Sequence, residues 1–116
     1  METTEGNPLV ENLIQKYAFD REMIREILTI LVQDLPKSLR ELEQAVGDTD
    51  FTLGRKAAHS LANISGTVLE IGLLELARKI ESACIAQNLS EVIPYLAPLR
   101  EQVNNLCTEA DRYLQN

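Results

Sequence analysis

One apolar stripe constrains this chain more than any other feature. Ile24, Ile27, Leu28, Leu31, Leu35, Leu39, Leu42 and Val46 recur at helical spacing. At about 100° per residue they stay on one face. A stripe of that length, with polar residues between its members, requires a long amphipathic helix with other helices covering it. Asp20 can cap its start, and Gly47-Asp48 ends it. Pro36 falls inside the stripe and is expected to interrupt the helix and bend it.

The rest of the chain supplies the cover. Asn7-Pro8 reads as an N-cap followed by Pro at the first helical position, with Leu9, Val10, Leu13, Ile14 and Tyr17 at helical spacing behind it. Asp50 can cap a third helix. A break is expected near Gly66 to Gly72, before a fourth helix through "LLELARKIESACIAQ". Ser90 can cap a fifth, with Pro94 tolerated in its first turn and Pro98 kinking it or delaying its start. Five glycines and four prolines in 116 residues act only as punctuation. Hydrophobic content of 45% suffices for a core, although only 4% is aromatic. Short connections make neighbouring helices antiparallel. The expected fold is all-α, an antiparallel up-down four-helix bundle with an additional short N-terminal helix. It forms a single domain over 1–116, with 1–7 flexible.

Charge and composition exclude several functions. A net charge of −7 repels nucleic acid backbones and anionic lipid. No apolar run reaches the roughly 18 to 20 residues that span a bilayer, and the start "METTEGNP" lacks a secretory signal's features. No nucleic acid, no membrane insertion and a cytoplasmic location are expected. Cys84 and Cys107 are far apart in sequence, form no zinc motif and read as packing residues. No Gly-rich phosphate loop appears.

The segment "RKAAHSLANISG", residues 55–66, holds the only histidine. On a helical wheel Leu53, Ala57, Leu61, Ile64 and Val68 fall within about 80°, and His59 lies about 200° from their centre. His59 therefore faces outward. Its expected neighbours on that face are Arg55 and Lys56 one turn before, Ala62 and Asn63 one turn after, and Gly66 two turns after. Small residues would let a partner approach, and the basic pair would attract an anion. The plain alternative is a solvated helix face that carries a histidine by chance.

The stretch "RKAAHSLANISGTVLEIGLLELARKIE" resembles the signature of histidine-containing phosphotransfer (HPt) domains, modules of multistep two-component phosphorelays. Ala58, His59 and Leu61 match the motif Ala-His-x-Leu-Lys-Gly, and Leu73, Ile80 and Glu81 match the helix that follows. Upstream, "ILTILVQDLPKSLRELEQAVGDTDFTLGRKAAHSL" is also similar, so the resemblance covers nearly the whole chain. It implies that His59 accepts a phosphoryl group from a receiver-domain aspartate, or from a kinase, and passes it to another receiver aspartate. It implies that Glu81 orients the imidazole, with Ser60 or Asn63 as a further contact. The implied partners are response-regulator receiver domains and a hybrid histidine kinase. No cofactor of its own is expected; Mg2+ belongs to the partner receiver. The domain would be a monomeric phosphoryl carrier, not an enzyme.

Two positions depart from the motif. Ala62 stands where the family has Lys, and Asn63 where it has Gly. Arg55 and Lys56 could restore the charge, and Ala62 and Gly66 could keep the surface low. Otherwise the chain is a degenerate HPt-like adaptor that docks a receiver or kinase without efficient transfer. A histidine-kinase dimerisation helix would need an ATP-binding domain and would be dimeric. A di-iron bundle would need Glu-x-x-His pairs, and a hydrolase would need a nucleophile and an oxyanion site.

Overall fold

The computed structural model describes residues 7–18 and 20–115. Five helices follow in order: α1 (Pro8–Lys16), α2 (Arg21–Gly47), α3 (Phe51–Thr67), α4 (Ile71–Ile85) and α5 (Leu89–Leu114). Every described element is helical, so the fold is an all-α bundle with an extra N-terminal helix. The helices α2, α3, α4 and α5 pack in sequence, and α5 closes back on α2. Helix α1 lies against α2 and α5 at one end of a bundle 48 Å long.

Local capping sets several boundaries. The carboxylate of Asp20 accepts from the Met23 N–H at 3.1 Å, and that of Asp50 from Leu53 at 3.0 Å. Residues 1–6 of the segment expected to be flexible lie outside the described residues. Asn7, its last residue, is anchored. Its side-chain oxygen accepts from the Val10 N–H, and its amide donates to the Glu109 carbonyl at 3.4 Å.

The prolines do not break helices. Pro36 lies inside an uninterrupted α2, and Pro94 and Pro98 lie inside an uninterrupted α5. Each proline leaves one carbonyl four residues back without its helical donor. In α5 those carbonyls belong to Ser90 and Pro94, both exposed, where water can serve them. Ser90 is not the cap of α5. Asn88 is, and the Ser90 hydroxyl in the first turn donates to the Asn88 side-chain oxygen at 2.7 Å.

The break between α3 and α4 is narrower than the glycines suggest. Gly66 and Gly72 are both helical. The chain reverses at Leu69, which adopts φ 62°. The Glu70 N–H closes the turn onto the Ser65 carbonyl at 2.9 Å. Fully buried Val68 beside it holds a residue other than glycine in this left-handed conformation.

Candidate functional site

Helix α3 packs between α2 and α4. Its buried residues include Gly54, Ala58, Ala62 and Ser65, all small. By helical spacing they lie on one stripe, whose Gly54 meets α4. The α4 backbone can therefore come close. A Cβ on Gly54 would lie only 3.1 Å from the Cys84 sulfur. The Ser65 hydroxyl donates to the Leu61 carbonyl at 2.6 Å, so it needs no partner across the seam.

His59 stands at the solvent edge of this seam with its side chain 57% exposed. Its Nδ1 lies 2.9 Å from Oε2 of Glu81, whose side chain is 21% exposed. A carboxylate only accepts hydrogen bonds. The proton therefore sits on Nδ1 and is donated to Glu81. In the neutral ring Nε2 then keeps its lone pair. The close α3–α4 approach allows a glutamate on one helix to hold an imidazole on the other.

The other residues expected on this face divide. Arg55, Lys56, Ser60 and Asn63 are exposed. Gly66 is half-buried, and a Cβ there would meet nothing within 4 Å. Its missing side chain has no cause inside the bundle. Ala62 departs from expectation, being only 6% exposed. The wheel assumed one core face, whereas α3 has a neighbour on each flank and its buried arc extends round to Ala62. That residue contributes to the seam and not to an open surface.

On the α2 side, Lys56, Ser60 and Asn63 line an open groove of about 460 Å³ with Asp34, Lys37 and Glu41. Lys56 therefore shares its surroundings with two carboxylates.

A family model described as Hpt domain matches residues 26–113, a span that includes both His59 and Glu81. The chain belongs to the Hpt domain family. Hpt domains are phosphocarrier modules of phosphorelays that work with receiver domains and histidine kinases, not classical enzymes. No curated protein and no solved structure matches the chain. Helix α1 precedes the span shared with other Hpt domains.

Sequence reasoning passed over two features of this Hpt domain. Ile30 is 54% exposed and lines an apolar cleft of about 110 Å³ with Ile27, Ile64 and Val68. Its signal was an isoleucine off the core stripe of α2. The second is Arg78, exposed on α4 one turn before Glu81. It could be found only from the register of α3 against α4.

The thiols of the Hpt domain are held in the protonated form. Burial pushes the Cys107 thiol up to about 11, helped by Asp111. Burial, then the nearby Glu81, raises that of Cys84. Among the described residues no group of three His, Cys, Asp or Glu could hold a metal. No described helix is long and apolar enough to cross a membrane.

Proposed function

We propose that this Hpt domain accepts a phosphoryl group on Nε2 of His59 from an aspartyl phosphate of a receiver domain and passes it to the aspartate of another. The observation that carries this reading is the 2.9 Å contact from Nδ1 to Glu81. That contact spends the ring proton on Glu81 and leaves Nε2 as an exposed nucleophile.

The step balances without a further base. The Nε2 lone pair forms the N–P bond while the P–O bond of the acyl phosphate breaks, and the receiver carboxylate leaves with the electron pair. The ring becomes a phosphorylated imidazolium that retains its Nδ1 proton. The Glu81 carboxylate stabilises the positive charge that develops. Transfer onward is the reverse step on a second receiver. Phosphoryl transfer depends on positioning and charge compensation. The receiver would supply Mg2+ to offset the phosphoryl charge, and the Hpt domain would supply the oriented ring. A receiver would dock over the open face of α3, where Gly66 admits close approach and the apolar cleft at Ile30 offers a contact. A hybrid histidine kinase would head such a relay, in the cytoplasm, with this domain acting as a monomer.

A second reading has one observation in its favour. Ala62 is turned into the seam, so the motif's lysine position supplies no cation. In that reading the domain docks a receiver but transfers slowly. The deciding experiment incubates the domain with phosphorylated receivers beside His59→Gln. Label stable to alkali, lost in acid and absent from the variant supports the carrier. Docking without label supports the adaptor.

A further inference from the structure

We infer that Arg78, on α4, is the phosphoryl-binding cation of this site, paired with Arg55 on α3. The inference rests on one part of the proposed function, that His59 is the residue phosphorylated.

Two contacts set the register of α3 against α4. His59 is level with Glu81, and Gly54 is level with Cys84. The helices run antiparallel across the three-residue connection that turns at Leu69. Position 62 is consequently level with Ala77 and Arg78. Arg78 precedes Glu81 by three residues, a rise of about 4.5 Å along the helix. Arg55 precedes His59 by four on the facing helix, in the opposite direction. The two arginines thus bracket the His59–Glu81 pair, one turn to each side.

Both are exposed, and among the described residues neither makes an ion pair or hydrogen bond. Arg78 lines the groove between α4 and α5 with Lys79 and Glu91, and pairs neither with Glu91 nor with Glu75 or Glu81, one turn away on its own helix. Lys56 is the weaker candidate, because Asp34 and Glu41 offset it and Lys37 in its groove, whereas Arg78 and Lys79 outnumber Glu91 in theirs. A phosphoryl group on Nε2 carries two negative charges that the imidazolium only half offsets. Guanidinium forks donate to phosphoryl oxygens in pairs. The cation absent at Ala62 is thus replaced from the facing helix, at the same level.

The test uses the full chain and two donors, phosphoramidate and a phosphorylated receiver. With phosphoramidate the P–N bond breaks, the Nε2–P bond forms and ammonia leaves, so no protein partner is required. Labelling rates and a 31P pH titration of the phosphohistidine are read for wild type, Arg78→Gln, Arg78→Lys, Arg55→Gln and, as a distant control, Arg112→Gln. Arg78→Gln should slow labelling about two- to fivefold, the range for an exposed ion-pair contact. It should also raise the phosphoryl titration midpoint, a shift that a merely structural role would not cause. Arg78→Lys should recover part of both effects, and the control should match wild type. Wild-type behaviour of Arg78→Gln, with His59 labelled, overturns the inference and leaves the carrier reading intact. An Arg78-dependent label from phosphoramidate alone, with no transfer from any receiver, sustains the inference and overturns the carrier reading. No label on His59 from either donor overturns both.

Discussion

Gly54 of α3 and Cys84 of α4 stand so close that a Cβ on the glycine would lie 3.1 Å from the cysteine sulfur. This contact sits just over one turn from His59 and one turn from Glu81. It sets the separation across which Nδ1 meets the carboxylate. Gly54→Val should cost about 1–3 kcal/mol by overpacking, measured by urea denaturation. It should also slow labelling of His59, because spreading the seam lengthens the 2.9 Å contact.

Glu81 holds the ring and carries charge, and two substitutions separate these roles. Gln at position 81 can still accept from Nδ1 but brings no charge. Ala does neither. Glu81→Ala should slow transfer about 10- to 100-fold, the rate equivalent of a hydrogen bond to a charged group. Glu81→Gln should fall between it and wild type, with binding of the receiver unchanged for both. Single-turnover transfer beside a binding isotherm checks this.

Gly66 offers a separation of stability from docking. A helix-interior glycine costs about 1 kcal/mol relative to alanine. Gly66 lies in the last turn of α3, where the cost is smaller, and nothing in the bundle stands within 4 Å of a Cβ there. Gly66→Ala should therefore stabilise the isolated domain by up to that amount. Gly66→Leu should also fold, yet bind receivers more weakly, because its bulk stands on the docking face. Equal receiver affinity for Gly66→Leu and wild type would remove Gly66 from that face.

Glu70, at the start of α4, has its carboxyl pushed up from 4.5 by burial and, to a lesser degree, by the charge of Glu109. The folded chain therefore holds this proton more tightly than the unfolded one. Its contribution to stability is greatest below pH 4.5 and is lost as pH rises through the folded value. Glu70→Gln should be more stable than wild type at pH 7. The gap should close on acidification toward pH 4.5. Denaturation midpoints of both proteins across that range measure it.

What the sequence alone determined is local. Caps at Asp20 and Asp50 act through side chains three residues from the amides they serve. The stripe along α2 is a property of spacing. The outward direction of His59 follows from the same arithmetic, since it lies opposite the apolar face of its own helix. Tertiary structure decided what depends on neighbours. Ala62 is buried because α3 has a helix on each flank, and a one-sided wheel has no means of representing the second. Pro36 and Pro98 sit inside unbroken helices because the penalty for a lost hydrogen bond is local, while the packing that outweighs it is not. Leu69 makes the turn within the break expected between Gly66 and Gly72, held by the burial of Val68 beside it. The 2.9 Å contact of Glu81 and the level of Arg78 both depend on how far α4 slides along α3. That register is set by small residues meeting across the seam, and only the folded chain brings them together.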